Sequence, residues 1–170
     1  MPRDHVKRTT TLRIGLISDT HGLLRAEAMA FLRGCDHILH GGDIGNAEIL
    51  ERLAALAPVV AVRGNNDTQA WAASLPETQL LDLAGVRLHI IHDLEQLTLD
   101  PRACGVQVIV SGHSHRPFVG ERDGVVYVNP GSAGPRRFSL PISVAELQIH
   151  GTVITPRLVE LPAPSRHSGG

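Results

Sequence analysis

Five short apolar runs in this chain each stop at residues able to bind a metal, and that repetition constrains the fold more than any other feature. Leu16-Ile17-Ser18 ends in Asp19-Thr20-His21, and His37-Ile38-Leu39-His40 runs into Gly41-Gly42-Asp43. Val59 to Val62 leads to Gly64-Asn65-Asn66-Asp67, Leu88 to Ile91 leads to His92-Asp93, and Val106 to Val110 leads to Gly112-His113-Ser114-His115. In an extended segment residues i and i+2 point the same way, so Asp19 and His21 offer a carboxylate and an imidazole to one point in space. Strands that deliver ligands from their carboxyl ends predict one site at that edge of an α/β sheet.

The segments between the runs support this architecture. Leu23, Leu24, Met29 and Leu32 predict an amphipathic helix closed at Gly34. Asn46 is a natural N-cap for a second helix with Ile49, Leu50, Leu53 and Leu56 on one face, ending before Pro58. Beyond this strand-helix-strand opening the pattern changes. Thr78 to Leu83 and Val86 to Ile91 flank Ala84-Gly85 as a hairpin. The stretch from Asp93 to Gly105 is long enough for a crossover, with a helical turn expected at Asp100-Pro101. Phe118 to Glu121, Val125 to Val128, Ile142 to Ile149 and Thr152 to Val159 read as strands around turns at Arg122-Asp123-Gly124 and His150-Gly151. An α/β sandwich of two packed sheets is expected.

At 170 residues the chain is one domain's worth, expected over 12–161 with a polar leader at 1–11 and a Pro/Ser/Gly-rich tail at 162–170. A net charge of -1 excludes a field strong enough to recruit nucleic acid or an anionic membrane surface. No apolar run approaches the ~18 residues of a membrane span, and the leader lacks the apolar core of a secretory signal. A cytoplasmic location is expected. Cys35 and Cys104 lie far apart and away from the candidate ligands, as structural thiols do.

Asp19, His21, Asp43, Asn65, His92, His113 and His115 are too many donors for one ion. Two ions sharing Asp43 use them all, with Asp19, His21 and His115 on one side and Asn65, His92 and His113 on the other. Imidazole and carboxylate without thiolate favour first-row ions over calcium. Two divalent ions per chain are expected, manganese first, with iron, zinc, nickel, cobalt or magnesium as alternatives. Their excess positive charge attracts a phosphate ester and acidifies bound water. Asp67 either orients the site or closes its turn. Arg63, Arg116, Arg136 and Arg137 sit beside the motif loops, and guanidinium suits phosphate. His37, His89 and His150 are read as structural, and His40 as packing or support behind Asp43.

Asp19-Thr20-His21, Gly42-Asp43, Gly64-Asn65-x-Asp67 and Gly112-His113-Ser114-His115 resemble, in order and spacing, the calcineurin-like metallophosphoesterase superfamily. Together with Asn129-Pro130-Gly131-Ser132, the likeness spans about residues 12 to 160 and points to its small bacterial and archaeal phosphodiesterase branch. The resemblance implies a four-layer α/β/β/α sandwich of two mixed sheets with helices outside. It also implies a dinuclear centre with the ligands above and a metal-bridging hydroxide attacking phosphorus in line. Asp43, Asn65 and Asp67 are the expected catalytic positions, with Asn66, Arg63, Arg116 and Arg136 toward substrate. The expected partner is a small phosphodiester, nucleic acid only as substrate, and a homodimer or tetramer. Scaffold members exist, notably a retromer subunit, so a protein-interaction role is the alternative; a phosphomonoesterase or protein phosphatase is a further one.

Two positions depart from the pattern. Asn66 stands where many members carry a His that protonates the leaving oxygen, and a carboxamide cannot act as that acid. Asp93 follows His92 where Gly is usual, adding a carboxylate beside the site.

Overall fold

The computed structural model describes residues 11–137 and 139–162. Strands β1 (Thr11–Ile17), β2 (His37–His40) and β3 (Val59–Ala61) run parallel, joined by helices α1 (Ala26–Leu32) and α2 (Ala47–Ala54). Two antiparallel strands, β9 (Ser143–His150) and β10 (Val153–Glu160), complete this sheet in the order β10-β9-β1-β2-β3. The second sheet is made of β4 (Thr78–Leu83), β5 (Val86–Ile91), β6 (Val108–Val110), β7 (Phe118–Arg122) and β8 (Val125–Asn129), ordered β4-β5-β6-β8-β7. Its three inner strands are parallel, and each edge strand is the antiparallel half of a hairpin.

Alternation along the strands sorts the apolar residues into layers. Ile14 and Leu16 of β1 pack with Leu88 and Ile90 of β5, Val108 and Val110 of β6 and Leu147 of β9, which is the core between the sheets. Ile17, on the opposite face of β1, joins Ala28 and Leu32 of α1 and Ile49 and Leu53 of α2. Gly15 lies on that face too, because a Cβ there would run into Leu32 and the Cys35 sulfur. The Asn46 side chain caps α2 by accepting the Ile49 N–H at 3.1 Å, as expected. Left-handed Ala84 and Gly85 (φ 50° and 79°) form the predicted β4–β5 turn.

The two mixed sheets of the expected sandwich are present, with both α-helices against the first. Over the second sheet the outer layer differs from expectation. Among the described residues it holds no α-helix, only a 3-10 turn at Leu94–Gln96 and the expected turn at Asp100-Pro101, where the Cys104 N–H donates to Asp100 O at 3.1 Å. Leu97, Leu99 and Cys104 cover Ile91 and Ile109 there. The Asp93 carboxylate starts the 3-10 turn by accepting the Glu95 N–H, and Asp100 Oδ1 likewise accepts the Arg102 N–H at 3.1 Å. β6 is shorter than the apolar run suggests because Val106 donates to Pro101 O in the preceding turn. The expected leader lies outside the described residues except Thr11, which begins β1; the expected tail does so except Pro162. Among the described residues no helix is long and apolar enough to cross a membrane.

Candidate metal centre

Seven side chains expected at strand ends converge, and they come from both sheets. Asp19 and His21 follow β1, Asp43 follows β2 and Asn65 follows β3, while His92 follows β5 and His113 and His115 follow β6. The parallel strands of the two sheets thus end over one point, whereas the sequence pattern alone suggested a single sheet edge.

The backbone at this point is unusual. Asp19, His21, Asp43, His113 and His115 all have positive φ, from 45° to 69°. Asp and His tolerate the left-handed region better than most residues, and such conformations cluster where function requires them. Among the glycines ahead of the ligands, Gly42 (φ 100°) provides a sharp bend. Gly64 and Gly112 instead provide room, since a Cβ would strike Asp43 in the first case and Ser18 and Asp19 in the second.

The donors form two groups that share Asp19, and Asp43 approaches a histidine of each. Ligand atoms of Asp19, His21 and His115 lie within 4.8 Å of one another, as do those of Asp19, Asp43 and His92. Asp43 Oδ2 is 3.7 Å from His21 Nε2 and 3.3 Å from His92 Nε2. Asn65 Oδ1 is 3.0 Å from His92 Nε2 and 3.2 Å from His113 Nδ1. Asp19 Oδ1 lies 3.4 Å from His115 Nε2 and 3.8 Å from His21 Nε2.

This arrangement fits cations. Asp19 is fully buried; its Oδ2 accepts from Ser18 Oγ at 2.7 Å and the His113 N–H at 3.1 Å, yet its Oδ1 has no hydrogen-bond partner. A buried carboxylate oxygen left bare beside two imidazole nitrogens is what a cation site requires. The Nδ1–H of His92 donates to Gly41 O at 2.6 Å, which turns its Nε2 toward Asp43 and Asn65. A histidine so tethered has its free nitrogen pre-aimed at a metal.

The charges interact strongly. Burial lowers the His21 pKa, helped by the Arg137 guanidinium and His115, against the opposing pull of Asp43 and Asp19. Burial pulls His92 down too, but its hydrogen bond to Asp43 and the charges of Asp19 and Asp43 outweigh this and raise it. Burial tends to raise Asp43, yet His92 and the N–H donors of Asn66 hold its carboxyl far below the usual range. His40, fully buried behind the site, accepts the Gly42 N–H on Nδ1 and lies 3.1 Å from Thr20 Oγ1 through Nε2. Burial pushes its pKa down to about 4, so it is neutral support for the Asp43 loop.

Asp67 does not face the ligand cluster. Its carboxylate accepts the N–H groups of Ile44, Gly45 and Gly64, tying the Asp43 loop to the Asn65 loop. The expectation of a direct catalytic part is corrected to a positioning one. Asn66 likewise turns to Asp43: its N–H donates to Oδ1 at 2.9 Å and its Nδ2 to Oδ2 at 3.0 Å. Arg63 pairs with Glu77 at 3.0 Å, and Arg136 Nε donates to Leu140 O at 3.2 Å. Arg63 and Arg116 line separate cavities beside the cluster, and Arg137 is the arginine whose charge is felt at His21. Asp93 Oδ2 comes to 3.9 Å from His113 Nε2, the nitrogen turned away from Asn65.

Sequence reasoning missed Ser18, whose hydroxyl holds Asp19, whereas the Asn129-Pro130-Gly131-Ser132 loop reads in sequence as one that holds a ligand histidine from behind or lines the pocket. The Asn129 amide donates to Gly112 O at 3.0 Å and Ser114 Oγ at 3.1 Å, bracing the His113 loop from behind. Ser132 Oγ donates to Asp19 O at 3.0 Å. The Asn129-Pro130-Gly131-Ser132 turn was the available signal. His37, His89 and His150 stay outside the cluster; His150 meets Thr11 Oγ1 at 2.9 Å, and burial lowers His89.

Comparison with known proteins agrees with this geometry. The family model of the calcineurin-like phosphoesterase superfamily domain matches residues 12–152. A probable metallophosphoesterase of Methanothermobacter thermautotrophicus is 36% identical over 164 residues, covering 89% of this chain and 94% of that protein. A phosphodiesterase of Methanocaldococcus jannaschii is 25% identical over 138 residues, covering 71% of this chain and 83% of the other. A crystal structure of Vps29 from Entamoeba histolytica, complexed with zinc, superposes with a TM-score of 0.67 at 23% identity, covering 88% of this chain and 99% of that one.

Proposed function

The chain belongs to the calcineurin-like phosphoesterase superfamily, and from that premise we propose that it is a phosphodiesterase working with two divalent cations. The observation that carries this reading is Asp43 Oδ2, placed between His21 at 3.7 Å and His92 at 3.3 Å. Asp19, His21 and His115 would hold one ion and Asn65, His92 and His113 the other, with Asp43 reaching both. When bound, such ions supply Lewis acidity and a water whose pKa falls to about 7, the nucleophile for phosphorus.

The protein's own groups do the rest. His92, tethered to Gly41, keeps its Nε2 aimed at the cluster, and His21, kept neutral by burial, offers its lone pair directly. Asn66 fixes both oxygens of Asp43. Arg137, on the His21 side, is the guanidinium we assign to a phosphate oxygen. Neither Asn65 nor Asn66 can donate a proton to a departing alkoxide at neutral pH, so the site suits esters with good leaving groups. The named activity of the Methanocaldococcus relative supports the diester choice. Manganese is the ion we assign first.

The test is metal content together with hydrolysis of bis(4-nitrophenyl) phosphate and 4-nitrophenyl phosphate, with manganese and with chelator. Diester turnover that disappears with chelator and in Asp43→Asn supports the proposal. Faster monoester turnover points to a phosphomonoesterase. The likeness to Vps29 favours a second reading, a protein-interaction scaffold, and tight metal binding without turnover of either ester would select it.

A further inference from the structure

Among the cavities that reach the ligand cluster, two have chemically unlike walls. One of about 460 Å3 beside Asn65 and His92 is walled by Arg63, Glu77, Gln96 and Thr98, all able to hydrogen-bond. The other, about 640 Å3, has Leu94, Pro117, Phe118 and Leu140 in its wall beside Ser111, Ser114 and Asn129. His113 and Asp93 line both. Each volume falls in the range of roughly 300–1,000 Å3 typical of small-molecule sites.

The second cavity carries an unexplained feature. Phe118 is 56% exposed and Leu94 is 39% exposed, from separate segments, the start of β7 and the 3-10 turn after His92. A single exposed apolar side chain needs no explanation, but Leu94 and Phe118 together line both this cavity, which runs to a candidate metal ligand, and a smaller one beside Tyr127, and so mark a surface meant to be covered. Its charged neighbours are Arg116, Asp93 and Glu95. The two carboxylates oppose a further phosphate in this cavity, while Leu94 and Phe118 favour apolar surface.

We infer that the Leu94–Phe118 cleft is a binding subsite for an uncharged apolar or aromatic ester arm of the phosphodiester. This rests on the phosphodiesterase reading above and narrows it to diesters with at least one such arm. Phe118 and Leu94 act as specificity residues: they hold the arm and take no part in bond breaking. Aromatic rings stack offset or edge-on, so an aryl arm gains more against Phe118 than a methyl group does.

Calorimetric titration of the manganese-loaded protein with inorganic phosphate, dimethyl phosphate and diphenyl phosphate tests the subsite. The wild type is expected to bind diphenyl phosphate at least about tenfold tighter than dimethyl phosphate. Phe118→Ser and Leu94→Ser should each remove most of that advantage and leave inorganic phosphate affinity unchanged. Both positions are exposed, so folding is not at stake, and unchanged thermal unfolding checks this. Equal affinity for the two diesters, or a diphenyl preference that survives both substitutions, overturns the subsite and leaves the phosphodiesterase reading intact. A parallel loss of phosphate affinity in the variants also overturns it, as a general disturbance of the site. Failure of all three ligands to bind, with no turnover of bis(4-nitrophenyl) phosphate, overturns both.

Discussion

Asn66 grips Asp43 at both carboxylate oxygens, through its backbone N–H at 2.9 Å and its side-chain Nδ2 at 3.0 Å. The residue that departs from the usual general acid of the superfamily has therefore taken a structural task, orienting the carboxylate between the two donor groups. Asn66→His is predicted to restore a proton donor and to raise the rate ratio of alkyl to nitrophenyl diesters by about tenfold or more, the low end of general acid catalysis. Steady-state rates on both ester classes check it. Equal effects on the two would remove the assignment of this position as the missing acid.

Asp67 predicts a different response. Asp67→Ala leaves the buried N–H groups of Ile44 and Gly64 without partners, and each such loss costs about 1–3 kcal/mol. Urea unfolding should show at least about 2 kcal/mol of destabilisation. Asp67→Asn, which keeps an acceptor oxygen, should lose less. A variant as stable as the wild type but inactive would show that Asp67 acts directly on substrate.

Metal binding should release protons. His92 has its pKa raised and must be neutral at Nε2 to ligate, so affinity should fall as pH drops through that raised value, above the ordinary 6.5. His21, lowered by burial, is already neutral there and adds nothing. The proton displaced from His92 by itself contributes up to about tenfold per pH unit below that raised value. Titrations in buffers of different ionisation enthalpy measure the proton count, and a flat profile with no release would contradict this.

How much of this was legible beforehand differs by residue. Asp19, His21, Asp43, Asn65, His92, His113 and His115 could be picked out because each ends a short apolar run. Asn46 and Ala84-Gly85 could be read because caps and tight turns are local chemistry. The partition of the runs between two sheets could not be read, because β1 pairs with β9 across the whole chain, Gly15 against Glu146, and no local pattern encodes that. The grip of Asn66 on Asp43 was hidden for the same reason, and the two readings of Asp67 could not be separated: an amide or carboxylate in a turn looks alike whether it holds its own turn or the loop beside it. The left-handed ligands were hidden too, since Asp and His carry no glycine-like mark of positive φ.

Glu146 supplies a prediction away from the centre. It is buried between Arg13 at 2.6 Å and Arg157 at 2.9 Å. Burial tends to raise its pKa, and the two guanidinium groups outweigh that and lower it below the ordinary 4.5. A lowered folded value means stability that is full above pH 4.5 and is lost as pH falls through the folded pKa. Denaturant midpoints of the wild type should therefore drop in acid, and Glu146→Gln should be less stable at neutral pH with a shallower acid dependence. An unchanged slope in the variant would assign the acid sensitivity elsewhere.

Anomalous diffraction from crystals grown with manganese tests the centre most directly. Two peaks about 3.5–4 Å apart are predicted, with Asp43 between them, Asp19, His21 and His115 on one ion and Asn65, His92 and His113 on the other. A single peak, or ions bound away from Asp43, would contradict the account.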